Sequence, residues 1–160
     1  FQTRLKYPEQ VRIFRMIPGL EKAEFARLGS MHRNTYIDSP RLLNPDLSLK
    51  SYPNIFFAGQ ITGVEGYLES SATGIMAGIY AWAKAKSVNL PLAPKETALG
   101  ALTNYVSNPE ITQFVPMNIN WGLFPPIPAK TRKKDKRRLL AQRALNSAKE
   151  YHSKIKEMLG

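Results

Sequence analysis

The sequence predicts an α/β fold organised around a strand, a glycine-rich turn and a helix. Residues 55–58 (Ile-Phe-Phe-Ala) form a short apolar run with the length of a buried strand. Three glycines, Gly59, Gly63 and Gly66, follow within eight residues and allow the backbone to turn sharply. Apolar side chains then recur at helical spacing, at Tyr67, Leu68, Ala72, Ile75, Ile79 and Trp82.

Two interpretations of this strand, turn and helix are open. A helix that starts at a glycine turn presents free N–H groups to it, which favours an anionic or flat electron-rich ligand there. The same pattern also occurs as a tight connection in any α/β domain. Gly74 and Gly78 share one helical face, which would let the helix lie close against a sheet.

The segment before residue 30 predicts short elements with little chemistry. Residues 5–7 read as the end of a strand, and Pro8 suits the first turn of a helix that ends at Pro18 and Gly19. Residues 20–28 show a weak alternation that permits a strand.

Residues 31–37 alternate like a strand and place His32, Asn34 and Tyr36 on one face. Such a face suits stacking and hydrogen bonding with a heterocycle, although a single histidine is more often structural. The chain has two histidines and no cysteine, so we predict no metal site.

The region after the central helix alternates loops and short elements. Residues 38–40 predict a turn, and residues 87–95 predict a linker because they contain Pro91 and Pro94. Thr97 is a suitable cap for a helix that ends near Asn108. Residues 114–123 are strand-like and place two asparagines on one face, where they would read a ligand edge or bridge loops; they are Asn118 and Asn120.

The positive charge is concentrated at the C-terminal end. Residues 128–160 hold 11 Lys or Arg against 3 Asp or Glu, a net +8 of the total +11. The basic run from Lys130 to Arg138 is followed by a predicted helix with a docking stripe at Leu140, Ala144, Ala148, Tyr151, Ile155 and Met158. The run favours nucleic acid over membrane as a partner, and a solvated charge run is the alternative.

Several absences set further expectations. The chain lacks cysteine, which excludes a disulfide and a thiol nucleophile within it. It has no run of 18 apolar residues, so we expect a soluble cytoplasmic protein. The first residue is Phe1, not Met, which favours a fragment of a longer protein.

Residues 57–70 (Phe-Ala-Gly-Gln-Ile-Thr-Gly-Val-Glu-Gly-Tyr-Leu-Glu-Ser) resemble the C-terminal flavin-binding segment of the folate- and FAD-dependent tRNA (uracil-5-)-methyltransferases, the TrmFO family. Residues 31–36, 97–102 and 116–123 resemble the same family. The related GidA/MnmG family shares Phe-Ala-Gly-Gln but usually continues Asn-Gly-Thr-Thr-Gly-Tyr-Glu-Glu. The sequence of residues 62–66 favours TrmFO.

The resemblance implies the C-terminal portion of a Rossmann-type, glutathione-reductase-like FAD-binding fold. Residues 1–37 would belong to its insertion domain, 38–96 to the FAD-binding domain, 97–128 to a helix and strand packing region, and 129–160 to a basic C-terminal helix. The Gly-x-Gly-x-x-Gly fingerprint that holds the pyrophosphate is absent from the sequence, so we expect it in a missing N-terminal half.

The family's reaction places a one-carbon unit from 5,10-methylenetetrahydrofolate on C5 of a T-loop uridine, with reduced FAD and NAD(P)H. Cysteine is the implied nucleophile, so we expect no catalytic residue in this chain and no activity from it alone. The implied FAD contacts are Ala58, Gly59, Gln60, Glu65, Gly66, Tyr67 and Glu69. The implied folate and uridine contacts are His32, Asn34, Tyr36, Asn118 and Asn120. The implied tRNA contacts are Lys130, Arg132, Lys133, Lys134, Arg137 and Arg138.

Two alternatives to this function remain open. One is wobble-uridine modification of the GidA/MnmG type, and the other is a basic RNA-binding or docking module without catalysis.

Overall fold

The computed structural model of the chain describes residues 3–29, 35–127 and 131–159, apart from the side chains of Lys133 and Lys134. These residues fall into two compact units, one within the first 34 residues and one from residue 35 onward. Five α-helices and one short 3-10 helix are formed in the described ranges.

The first unit is built around helix α1, Tyr7–Phe14, with Pro8 in its first turn as predicted. Fully buried Gln10 holds the flanking chain: its Nε2 donates to Leu5 O at 2.7 Å and to Gly29 O at 2.8 Å, and its Oε1 accepts from Gly29 N–H. The strands predicted at residues 5–7 and 20–28 are not formed, because these segments are held by a side chain and by turns instead of a ladder.

The second unit contains four α-helices. They are α2, Ser39–Leu42, where a turn was predicted; α3, Tyr67–Ala85; α4, Ala98–Ser107; and α5, Lys133–Leu159. The cap prediction for α4 is confirmed, because Thr97 Oγ1 accepts from Gly100 N–H at 3.0 Å. The core cluster is made by buried side chains of α3, α4 and the loops that precede α3, namely Leu47, Val64, Ala77, Leu102 and Val106.

In this unit, isolated β-bridges are formed where longer strands were predicted. Phe56 of the run 55–58 pairs with Ser48, and Met117 of the run 114–123 pairs with Val64 in the parallel sense. Within the described ranges each of these runs pairs at a single residue, so a ladder of several residue pairs does not form. The α/β prediction is therefore not confirmed by this chain, whose described part is mostly helix and loop.

Helix α3 has two apolar faces. The buried face carries Thr73, Met76, Ala77, Tyr80 and Ala83. The predicted stripe faces outward instead, with Leu68 80%, Ile75 66% and Trp82 43% exposed. Gly74 and Gly78 lie on this outward side, and no described atom comes within 4 Å of a Cβ built on either.

Helix α5 docks on α3 and on the loop before α4 through a chain of hydrogen bonds. Ala93 N–H donates to the Tyr80 hydroxyl at 3.0 Å, the Tyr80 and Tyr151 hydroxyls lie 3.1 Å apart, and Tyr151 donates to Pro91 O at 3.1 Å. Since Tyr151 gives its proton to Pro91, Tyr80 is the donor between the two phenols. Burial raises the pKa of Tyr80 and of Tyr151 above the ordinary 10.0, so both phenols stay protonated and able to donate.

Side-chain packing completes this docking. Leu140 and Ile155 of the predicted stripe are 3% and 9% exposed, whereas Ala148 and Met158 of the same stripe are exposed, so the stripe is covered in part. No helix in the described ranges is both long and apolar enough to cross a bilayer.

Candidate functional site

The glycine-rich turn joins an extended segment to α3. Ala58 is extended, a 3-10 helix spans Gly59–Thr62, and Gly63 ends it in the left-handed region at φ 81°. Gly59 and Gly66 also have positive φ, 71° and 94°. All three turn glycines therefore use conformations that residues with a Cβ rarely adopt, which confirms the predicted sharp turn.

Two buried threonines lock this turn. The Thr62 hydroxyl donates to Gly59 O at 2.7 Å, and Gly59 N–H donates to Thr73 Oγ1 at 3.2 Å. Both threonines are 0% exposed. Sequence reasoning missed Thr73, although a hydroxyl on the buried face of a helix is a usable signal, since a buried polar group needs a partner. Because Gly59 N–H is bonded internally, it is not free to bind a ligand.

Replacing Thr73 by valine keeps the side-chain shape and leaves the buried Gly59 N–H without its acceptor. We expect the free energy of unfolding of the 160-residue chain, measured with urea, to fall by about 1–3 kcal/mol. Ser71→Ala is the matched control. The Thr73 hydroxyl donates to the carbonyl four residues earlier, and the Ser71 hydroxyl does the same at 2.8 Å, but Ser71 is exposed. The control should change stability by less than about 0.5 kcal/mol. Equal losses in both variants would show that the Gly59 bond is unimportant.

Residues 114–117 hold the other side of the turn. Glu65 N–H donates to Met117 O at 3.0 Å, and Met117 N–H donates to Gly63 O at 2.9 Å. The Phe114 ring covers Gly63 so closely that a Cβ there would lie 2.7 Å from Phe114 Cε1. The segment therefore fixes the turn from outside it.

Two further aromatic rings support Phe114. Tyr36 meets it edge to face with ring centroids 5.9 Å apart, and Tyr105 lies at 5.5 Å. The Tyr105 hydroxyl also donates to Val115 O at 2.8 Å. Tyr36, a predicted substrate contact, is thus separated from the backbone of Gly63 by one ring, that of Phe114.

The N terminus of α3 is exposed. No side chain in the described part of the chain caps it, and the first residues, Tyr67 and Leu68, are 97% and 80% exposed. A Cβ built on Gly66 would meet the Glu69 carboxylate and lie 2.8 Å from Asn118 Nδ2. Gly66, Glu69 and Asn118 are thereby brought together beside free helix N–H groups, where negative charge is stabilised.

The remaining residues predicted to contact FAD, folate or uridine differ in their exposure and in their hydrogen bonds. Gln60 is exposed and Glu65 is half-buried. Asn120 closes a local turn, because its Nδ2 donates to Asn118 O at 3.1 Å and its Oδ1 accepts from Gly122 N–H at 2.9 Å. Asn120 therefore stabilises a turn within its own loop, while Asn118 Nδ2 lies close to Gly66. The predicted contacts His32 and Asn34 lie outside the described residues.

The predicted tRNA contacts at the start of α5 are partly described. Arg132 pairs with Asp135 at 2.7 Å, and Arg137 and Arg138 are exposed. Lys130 and the side chains of Lys133 and Lys134 fall outside the description. Within the described ranges, no three His, Asp or Glu side chains come together as a group that could hold a metal ion.

The comparisons with known proteins cover most of the chain. The family model "Glucose inhibited division protein A" matches residues 1–89. Three similar proteins are named methylenetetrahydrofolate–tRNA-(uracil-5-)-methyltransferase TrmFO. The Geobacter sp. (strain M21) protein is 58% identical over 147 residues, which is 92% of this chain and 34% of that protein.

The other two are equally similar. The Citrifermentans bemidjiense protein is 56% identical over 151 residues, 94% of this chain and 35% of that protein. The Acetivibrio thermocellus protein is 56% identical over 155 residues, 96% of this chain and 36% of that protein. The chain thus spans about a third of the length of these relatives.

Proposed function

This chain belongs to the glucose inhibited division protein A family, and we propose that it is part of a flavin-dependent tRNA (uracil-5-)-methyltransferase acting in the cytoplasm. In the reaction, 5,10-methylenetetrahydrofolate supplies one carbon to C5 of a T-loop uridine. The observation that carries the proposal is an identity of 56% or more with relatives of that name over more than 90% of the chain. We infer that the chain is inactive alone, because it spans a third of those proteins and contains no cysteine nucleophile.

The exposed N terminus of α3 supports a flavin site. Its free N–H groups suit the acceptor atoms of the ring, and the missing Cβ of Gly66 lets the Glu69 carboxylate and Asn118 lie beside them. Bound flavin would supply reducing equivalents, which NAD(P)H would restore. The residues that would hold it are Ala58, Gly59, Gln60, Glu65, Gly66, Tyr67 and Glu69.

The exposed apolar face of α3 supports the proposal that this chain is part of a Rossmann-type fold. A helix that is apolar on all sides is normally buried on all sides. Exposed Leu68, Ile75 and Trp82 therefore favour a covering layer supplied by the rest of the protein, and Gly74 and Gly78 would let that layer approach closely. We infer that the layer is the sheet of a Rossmann-type FAD domain that includes residues 38–96.

The substrate side is proposed to lie next to this cofactor site. Asn118 is positioned for it, because its amide reaches Gly66 at the start of α3. Tyr36 contributes through its contact with Phe114. We retain His32 and Asn34 as folate or uridine contacts on their shared strand pattern with Tyr36.

The start of α5 is proposed to bind tRNA. Lys and Arg side chains bind phosphates without reading the base sequence, and they position the substrate. Exposed Arg137 and Arg138 fit this role. Arg132 fits it less well, since it is paired with Asp135.

One specific observation favours a second candidate, wobble-uridine modification. The matching family model carries the GidA name, and it covers residues 1–89. A basic module without catalysis is the third candidate, since the described part of this chain has no complete active site.

The test is a labelling experiment on the whole protein. We expect unmodified tRNA to gain a labelled methyl group from methylenetetrahydrofolate at a T-loop uridine, in a reaction that requires NAD(P)H, detected by mass spectrometry of RNA fragments. The control is a tRNA whose target uridine is replaced by cytidine, which should stay unlabelled. Modification at the wobble position would favour the second candidate, and tRNA binding without modification would favour the third.

A further inference from the structure

The outward face of α5 carries a row of positive charges beyond the basic run at its start. Arg138, Lys149 and Lys156 are exposed, and they lie 11 and 7 residues apart within α5. With about 3.6 residues per turn, these spacings are close to three and two full turns. The three side chains therefore share one face, here called the basic ridge, which is about 27 Å long at a rise of about 1.5 Å per residue.

The acidic residues of this part of α5 are separated from the basic ridge. Glu150 and Glu157 are seven residues apart and share a different face, about 100° around the helix. No side chain of the ridge forms an ion pair with any residue that the structure describes. The ridge is thus an unneutralised line of charge.

The covered face of α5 leaves the ridge pointing away from the body. Leu140, two residues from Arg138, is buried, and Tyr151, two residues from Lys149, is bonded to Tyr80 and Pro91. A step of two residues turns about 200° around a helix. The docking contacts therefore fix the orientation of the ridge.

We propose that the basic ridge is an RNA-binding surface that extends the phosphate contacts from the start of α5 along its whole length, and the proposal rests on the proposed tRNA substrate. A polyanion complements a row of three cations along one helix face, and its binding releases counterions. A membrane surface is the weaker partner, because an interfacial helix needs one free apolar face, and the exposed apolar side chains of α5 are spread around the helix, at Leu139, Leu145, Met158 and Leu159.

The test compares two charge-matched double variants of the whole protein. Lys149→Gln with Lys156→Gln removes two ridge charges, and Lys95→Gln with Lys154→Gln removes two exposed charges off the ridge. The affinity for a tRNA transcript is measured between 50 and 200 mM salt, a range over which phosphate contacts change affinity strongly. We expect the ridge variant to bind about tenfold more weakly at the lower salt and to lose about 1.5 from the log–log salt slope, since each phosphate contributes about 0.7–0.9. The control should stay within about twofold.

Four further measurements make the result decisive. Flavin absorbance should be unchanged in the ridge variant, which separates loss of binding from loss of folding. Equal weakening in both variants, or none in the ridge variant while Arg132→Gln with Arg137→Gln weakens binding, would overturn the ridge and leave the proposed function standing. Absent methylation in the unaltered protein would instead overturn the proposed function. Ridge-dependent binding to phosphatidylserine–phosphatidylcholine vesicles without any effect on tRNA would assign the surface to a membrane.

Discussion

Gly66→Val in the whole protein is expected to reduce flavin occupancy at least tenfold. Gly66 has φ 94° and ψ 138°, a region that residues with a side chain avoid at a cost of about 1–3 kcal/mol. The valine Cβ would also meet the Glu69 carboxylate and come within 2.8 Å of Asn118 Nδ2. Relief of these contacts moves the first turn of α3, whose N–H groups we propose face the ring, and about 1.4 kcal/mol of lost binding energy is a factor of ten.

The matched control is Gly19→Val. Gly19 has nearly the same φ, 89°, but no described atom lies within 4 Å of its Cβ position. The Gly19→Val substitution therefore introduces a side chain at positive φ without the contacts that Gly66→Val makes at the turn. Visible flavin absorbance per protein, measured after gel filtration, should stay normal in this control, and full occupancy in Gly66→Val would contradict the proposed site.

Gly100→Ala is expected to lower the free energy of unfolding of the 160-residue chain by about 2 kcal/mol. A Cβ at Gly100 would overlap the carbonyl of Pro94, with the Pro94 carbon at 2.5 Å and Ala93 O at 2.6 Å. This backbone cannot withdraw easily, because Pro94 O accepts from Thr97 Oγ1 at 2.7 Å and Ala93 N–H is bonded to Tyr80. Overpacking of this kind costs about 1–3 kcal/mol, which exceeds the helix propensity gained from alanine.

Gly74→Ala provides the opposite case within the same chain. Gly74 is also helical, but no described atom lies within 4 Å of its Cβ position. Urea unfolding should show a gain of up to about 1 kcal/mol, the ordinary benefit of alanine over glycine in a helix. Equal responses of the two variants would mean that the contact between α4 and residues 93–94 has little energetic weight.

Local signals predicted the helices well. The turn glycines, Pro8 and Thr97 each act on neighbouring backbone, so the sequence was sufficient to place the turn at residues 59–66 and the starts of α1, α3 and α4. The resemblance to the TrmFO family, which depended on consecutive residues, is confirmed by relatives of that name.

Features that depend on distant partners were not predictable in the same way. The runs 55–58 and 114–123 have strand composition, but a ladder requires neighbouring strands, and the described residues supply single bridges. Both faces of α3 are apolar, so periodicity could not decide which one this chain buries. The bond from Gly59 to Thr73 joins residues 14 apart, a distance over which sequence spacing carries little information.

The tyrosine chain between α3 and α5 also has a consequence for the order in which the second unit folds. Tyr151 finds its partners 71 and 60 residues earlier in the sequence, on Tyr80 and Pro91. Neither partner is in place until α3 and the loop before α4 have formed, so closing this long loop adds an entropic cost to the docking of α5. We therefore expect helix α5 to dock late during folding and to detach before the glycine turn opens.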